Sequence, residues 1–228
     1  MFSGRFDRSF VNLMTTKNTT LQRAIDQIAV PGILLDHRVI ASGDEFALLP
    51  EEYSAFATSV TKVRRASGAA RIVARELLYR LGHVQRAVTK SASGAPIWPR
   101  GLVGSLAHDA EIAVAAIAKR CEYLGLGIDV EPAESLEPDL LELIATATER
   151  AMIQNDPLHG RLLFAVKEAV YKAVYPEDGL FLDHHDVEVS LEGRKASVRN
   201  GRTVSFRYSM ATHIVALAYI PAPFPVHD

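Results

Sequence analysis

One segment, Tyr123 to Glu131, divides into two sides so cleanly that a strand accommodates it and a helix does not. Successive strand residues point to opposite faces, so Leu124, Leu126, Ile128 and Val130 form one apolar row. Gly125, Gly127, Asp129 and Glu131 share the other face. The two glycines remove side-chain bulk beside the carboxylates, which leaves room for a ligand or for another backbone. Alone, an Asp-x-Glu pair reads as a solvated strand end. The split into an apolar face and a glycine–acid face argues for more. Carboxylates this close repel, so a cation or a basic partner is expected beside them. Pro132 helps to end the strand.

The rest of the 228-residue chain is ordinary soluble protein, 48% apolar and 23% charged. That length allows one large domain or two small ones. A formal net charge of −2 gives no bulk attraction to nucleic acid or to an anionic membrane. Cys121 is the single cysteine, so no disulfide forms within the chain, which fits a reducing compartment. Met1 to Thr20 is interrupted by Arg5, Asp7, Arg8 and Lys17 and lacks the apolar core of a signal peptide. No apolar run approaches the ~20 residues of a membrane span. The expectation is a cytoplasmic protein.

Residues 1–29 are weakly patterned and read as a loose arm before a short helix. Gly32 to Ile40 reads as a strand and Pro50 to Phe56 as a short helix. Thr61 to Gly82 is a helix, its apolar stripe formed by Val63, Ala66, Ala70, Val73, Leu77 and Leu81. Ser91 to Gly101 is a loop, and Leu102 to Ala107 and Ile112 to Ala118 are two buried strands around a turn. After Tyr123–Glu131 comes a helical middle punctuated by Pro132, Pro138 and Pro157, then a strong helix from Gly160 to Tyr175. Asp186–Leu191, Lys195–Arg199, Thr203–Tyr208 and His213–Ile220 read as strands, with turns at Gly193 and Asn200-Gly201. Each half therefore combines helix and short strands, without a sequence repeat.

Chemistry concentrates in three further places. On the Gly160–Tyr175 helix, Glu168 and Lys172 lie four apart on the flank of the apolar stripe, and Lys167 points elsewhere. A third carboxylate meeting Asp129 and Glu131 would complete an oxygen site for a divalent cation such as Mg²⁺. Arg64, Arg71 and Arg75 share a helix face opposite the apolar stripe, either a solvated basic face or a phosphate cradle. Ser105 and His108, at the end of a strand, can both donate a hydrogen bond to a phosphate, and Trp98 reads as packing in the loop before it. Acids for a hard cation beside lysines for phosphate are the parts that phosphoryl transfer needs.

Four segments together resemble the 4′-phosphopantetheinyl transferases, within them the group that serves siderophore and other secondary-metabolite synthases. They are Arg64–Arg75 (RRASGAARIVAR), Gly94–His108 (GAPIWPRGLVGSLAH), Gly125–Glu131 (GLGIDVE) and Phe164–Pro176 (FAVKEAVYKAVYP), with Gly179–Asp183 (GLFLD) beside them. The resemblance spans roughly residues 64–183, and its order and spacing are specific where a single segment is not. Departures are Ser67 and Gly68 where the family commonly has an acidic–aromatic pair, Ser93 where many members are basic, and Asp109 where a polar residue or cysteine often follows the histidine.

The resemblance implies an α+β fold of two similar halves, each a small antiparallel sheet packed on a long helix, with the site between them. Residues 1–120 would form the half that binds the coenzyme A nucleotide, and 121–228 the half with the acidic strand and the lysine–glutamate helix. The implied reaction moves 4′-phosphopantetheine from coenzyme A to a serine of an apo acyl or peptidyl carrier protein, with Mg²⁺, releasing adenosine 3′,5′-bisphosphate. By position, Asp129, Glu131 and Glu168 correspond to the metal ligands. Lys172 corresponds to the lysine facing the pyrophosphate, with Lys167 its companion. Ser105 and His108 correspond to nucleotide-phosphate contacts, and Arg64 and Arg71 to the basic residues that hold the 3′-phosphate, with Arg75 a further coenzyme A-binding candidate. Glu168, or a water held by the metal, would take the serine proton. Two internal halves suit a monomer. Two other readings use the same groups: a Mg²⁺-dependent nucleotide phosphohydrolase, and a non-catalytic coenzyme A-binding protein. Exposed apolar residues around Phe181 and Leu182 are a candidate carrier-docking surface or simple packing.

Overall fold

A computed structural model describes residues 17–84, 87–153 and 156–223. Asn18 opens helix α1 (Thr19–Gln27), its side-chain oxygen accepting from the backbone N–H groups of Thr20 and Leu21. The earlier part of the N-terminal arm, 1–16, lies outside the described residues. Strand β1 (Ile33–Val39) follows, then helix α2 (Pro50–Tyr53) and the long helix α3 (Thr61–Arg80). Strands β2 (Leu102–His108) and β3 (Ile112–Lys119) complete an antiparallel sheet in the order β1-β3-β2. Val73, Ala74, Leu77 and Leu78 of α3 pack against Leu102, Ala115 and Ile117 of that sheet.

The second half opens with strand β4 (Tyr123–Pro132), short helices α4 (Pro138–Ile144) and α5 (Ala147–Ile153), and helix α6 (Pro157–Asp178). Strands β5 (Val187–Ser190), β6 (Lys195–Val198), β7 (Thr203–Met210) and β8 (His213–Pro221) join β4 in an antiparallel sheet of order β4-β8-β7-β6-β5. Helix α6 covers one face of it, burying Leu162, Val166, Ala169, Val170 and Ala173 against Phe206, Ala216 and Ala218. The inner faces of the two sheets meet in a shared core, where Val103, Ala107, Val114 and Ala116 pack with Leu126, Ile128, Val130, Val215 and Leu217. The layers therefore run helix, sheet, sheet, helix, an α+β arrangement with a seam between β2 and β4.

The strands lie nearly where the sequence puts them. Three local readings need correction. Helix α6 is longer than expected: Asp156 caps it through the Leu158 N–H, and Pro157 sits in the first turn, where its missing donor costs nothing. Gly179, at φ 62°, closes it in the left-handed conformation. In β4 the alternation slips at a bulge between Tyr123 and Gly125, which turns Leu124 to the α6 side of the sheet and puts Tyr123 in the shared core. The middle of α3 has no solvated arginine face, because the segment 44–56 crosses it. A Cβ on Gly68 would lie 1.9 Å from the Asp44 carbonyl oxygen, so that crossing requires glycine.

Candidate active site

Backbone contact at two glycines sets the geometry of the site. A Cβ on Gly127 would lie 1.8 Å from the Ala169 oxygen, and one on Gly125 2.2 Å from the Ala173 oxygen. The cleared space thus receives the backbone of α6, and this contact carries Lys172 onto Asp129. Lys172 Nζ donates to Asp129 Oδ1 at 2.6 Å and to the Ile128 carbonyl at 3.4 Å. Asp129 is 6% exposed. Burial pushes its pKa up to about 6 against the pull of Lys172, and the nearby charges of Glu131 and Glu168 push the same way.

The two glutamates have basic neighbours of their own. Arg161 Nη1 donates to Glu131 Oε2 at 3.1 Å, and burial raises the Glu131 pKa with Arg161 opposing. Glu168, half-buried on α6, has His184 Nε2 at 4.0 Å. Among the described residues no three His, Cys, Asp or Glu side chains lie close enough to form a ready metal cluster. Asp129 Oδ2, however, is buried and has no hydrogen-bond partner. A buried carboxylate oxygen without a donor is a place a hard cation would satisfy, and the acids around it are oxygen donors of the right kind. The residues fit such a cation in chemistry, with two of the three acids held by basic partners.

A cleft of about 280 Å³ opens beside Lys172, lined by Ser67, Arg71, Lys90, Pro96 and His108 among others. Lys90 arrives on a hairpin closed by Ser91 N–H to Ala95 O at 2.8 Å and Ile97 N–H to Thr89 O at 2.9 Å. Its ammonium sits 4.4 Å from the centre of the Phe56 ring, and the Arg71 guanidinium 4.7 Å from the same centre. Arg71 is 3% exposed, donating to the carbonyls of Val88 at 2.9 Å and Ser67 at 3.2 Å. Desolvation lowers the pKa values of Lys90 and His108, with Arg71 also depressing Lys90. An anion entering here would favour the charged forms of both.

Of the residues expected to form a site, Asp129, Glu131, Glu168, Lys172, His108 and Arg71 converge on this region. Four others do not. Arg64 is bonded locally at the start of α3, to the Ser59 carbonyl and the Thr61 hydroxyl. Arg75 is bound to buried Glu52 at 3.0 Å and to the Ala47 carbonyl at 2.7 Å. Ser105 alternates with Val103 and Ala107 on the β2 face turned to the shared core, opposite the His108 face. Lys167 is 1% exposed and donates to Glu149 at 2.8 Å, the Ile144 carbonyl at 2.7 Å and the His184 carbonyl at 2.8 Å. Sequence reasoning overlooked Glu52, Phe56 and Arg161. Glu52 was legible only as a helix-opening acid, and its partners are 23 and 36 residues away.

Trp98 packs, as expected, on the β2 backbone: a Cβ on Gly104 would lie 2.7 Å from its ring. Phe181 is 70% exposed and lies edgewise on Tyr175, while Leu182 packs partly into the second core.

Residues 51–118 match the family model described as the 4′-phosphopantetheinyl transferase N-terminal domain. Residues 125–218 match that of the 4′-phosphopantetheinyl transferase superfamily. The chain is 38% identical over 155 residues to 4′-phosphopantetheinyl transferase Npt of Nocardia iowensis, covering 67% of this chain and 70% of that protein. It is 36% identical over 151 residues to 4′-phosphopantetheinyl transferase Svp of Streptomyces mobaraensis (64% and 61% covered). It is 38% identical over 148 residues to 4′-phosphopantetheinyl transferase PptT of Mycobacterium tuberculosis (63% and 65% covered).

Proposed function

This chain belongs to the 4′-phosphopantetheinyl transferase superfamily, and we propose that it transfers 4′-phosphopantetheine from coenzyme A to a serine of an apo acyl or peptidyl carrier protein. One observation supports the substrate above the others. A cleft has Arg71, Lys90 and Lys172 on its walls, and Lys172 is bonded in turn to Asp129, a buried carboxylate with an unpartnered oxygen. That gradient, cations first and acids at the end, suits a nucleotide whose phosphates occupy the basic stretch and whose pyrophosphate ends at the acids. In this reading 1–120 supplies the nucleotide side and 121–228 the acid side, and the protein works as a cytoplasmic monomer. Among the described residues no helix is long and apolar enough to cross a membrane.

Asp129, Glu131 and Glu168 would hold Mg²⁺, which when bound neutralises charge on the pyrophosphate. Arg71 and Lys90 hold the 3′-phosphate end of the nucleotide, steadied by the Phe56 ring. His108 donates a hydrogen bond to the nucleotide, whose phosphate charge favours the protonated ring. The carrier serine attacks the phosphorus that bears pantetheine, the bond from that phosphorus to the bridging oxygen breaks, and the hydroxyl proton passes to Glu168. Lys172 stabilises the charge left on adenosine 3′,5′-bisphosphate. Its loss would cost on the order of 10²-fold in kcat, as for other positioned charge donors.

The test is to incubate the protein with coenzyme A, Mg²⁺ and a panel of apo carrier proteins and to weigh the carriers intact. A gain of one phosphopantetheine, abolished by EDTA and by Asp129→Ala, is expected. Coenzyme A hydrolysed with no carrier modified would instead establish the phosphohydrolase.

A further inference from the structure

The acid that follows the cleft histidine, Asp109, lies away from the nucleotide cleft and reaches across the seam between the halves. Its Oδ1 accepts from the backbone N–H groups of Glu111 and Ile112, both at 2.7 Å, which fixes the turn between β2 and β3. Its Oδ2 meets His213 Nε2 at 3.1 Å, with side-chain exposures of 11% and 8%. His213 begins β8 and is paired with Pro132, the residue after Glu131 on β4. The other ring nitrogen of His213 lies 3.3 Å from the Thr212 hydroxyl. One carboxylate therefore ties the turn of the first sheet to the acid-bearing end of the second. The hydrogen bond to Asp109 raises the His213 pKa, and in Asp109 burial pushes upward but His213 and the two backbone N–H groups outweigh it.

We infer that Asp109 and His213 are positioning residues, a clasp across the seam that fixes His108 in the cleft relative to Lys172 and the acids of β4. His108 is the last residue of β2, adjacent to Asp109 in the chain, so its place depends on where that turn is anchored. Lys172 and Asp129 belong to the other half. Elsewhere β2 meets β4 through side-chain packing in the shared core, where small shifts are tolerated. The buried pair adds a directional constraint at the open end of the seam, where the cleft meets the acids.

This inference rests on the functional reading above, so its test separates the two. Asp109→Ser keeps a short side-chain acceptor for the turn but cannot reach His213. His213→Phe fills the same space without a partner. Both variants and the double variant are measured for coenzyme A affinity by calorimetry, for KM and kcat with an apo carrier, and for thermal melting. Each single change is expected to raise the coenzyme A Kd and KM about tenfold, with kcat within about twofold, a typical coupling for a buried pair. The double variant is expected to be no weaker than the weaker single. Unchanged Kd and KM in both singles would overturn the clasp, as would losses that multiply to about 100-fold in the double. A wild-type protein that neither binds coenzyme A nor modifies any carrier would remove the functional reading itself. Wild-type transfer with unaffected variants removes the clasp alone.

Discussion

Replacing Asp129 by asparagine separates what this site does for stability from what it does for chemistry. The side chain keeps its shape and loses its charge. Asp129 ionises at about 6 in the folded protein and at 3.8 ordinarily, because burial disfavours the anion more than Lys172 favours it. The sign follows from proton binding. Between those values the folded state holds more protons than the unfolded chain, so stability falls as pH rises from about 4 to about 6 and is flat above. The gap corresponds to about 3 kcal/mol by the usual conversion. At pH 8 the ionised carboxylate costs the folded state that full amount, and at pH 5 about half of it.

Asparagine should therefore stabilise the metal-free protein by up to about 3 kcal/mol at pH 8 and about half that at pH 5, while abolishing transfer. For a domain of this size the gain at pH 8 corresponds to roughly 6–12 °C in Tm. Urea unfolding in EDTA at both pH values, followed by circular dichroism, measures it. A variant less stable than wild type at pH 8, or equally stabilised at both pH values, would refute the reasoning. Either result would mean that Lys172 already compensates the charge in full.

Glu52→Ala strips the partner from buried Arg71 and Arg75 and leaves the Val88 N–H without its acceptor; a loss of about 3–5 kcal/mol is expected in urea unfolding. Gly127→Ala forces the Ala169 carbonyl and α6 away from β4, costing about 3 kcal/mol or more, with soluble yield and melting temperature as the readouts. Lys167→Met alone strands Glu149 in the interior at a similar cost to Glu52→Ala; adding Glu149→Met removes the stranded charge but leaves the Thr146 and Val189 N–H groups without an acceptor, so it should recover only part of the loss, and a double variant as unstable as the single would contradict this. Lys90→Ala should raise the coenzyme A KM about tenfold and leave kcat nearly intact, whereas a fall in kcat alone would place Lys90 at the reacting phosphate.

The alternation in Tyr123–Glu131 made β4 legible, and the same pattern limited what could be read. Periodicity tells which face a residue takes, and only the partner tells what that face meets. Gly125 and Gly127 were open to two readings, a ligand or a backbone, and the neighbour that decided between them, α6, comes more than 30 residues later in the sequence. The arginine stripe of α3 shows the converse. Spacing put Arg64, Arg71 and Arg75 on one face, but the 44–56 segment that covers α3 is a string of single helical turns, each too short to show a period that tells what it packs against. Its acids took Arg75 out of the site, and its Phe56 ring positioned Arg71 within it. Of the cation or basic partner expected beside the acids, the structure shows basic partners, Lys172 and Arg161. Arg161 was missed as one of the two because it lies near the start of α6, ahead of the segment that carries the resemblance.

Helix α6 shows why residues adjacent in a motif need not share a task. Lys167 and Lys172 are five residues apart, which places them roughly 140° apart around a helix of 3.6 residues per turn. One of those directions faces the cleft and β4; the other faces α5 and the loop after α6. Lys172 therefore meets Asp129 with part of its side chain in solvent, and its charge is available to a ligand. Lys167 is enclosed by Glu149 and two carbonyls, all three donors of its ammonium spent on fastening α5 and the His184 loop to the helix. Glu168, next to Lys167 in the chain, projects between these directions, near His184 and over the opening lined by Tyr171 and Leu182. Lys167 thus holds, through the His184 carbonyl, the loop whose imidazole lies 4.0 Å from Glu168. The enclosed lysine therefore has a fastening task, and the lysine that meets Asp129 has the chemical one.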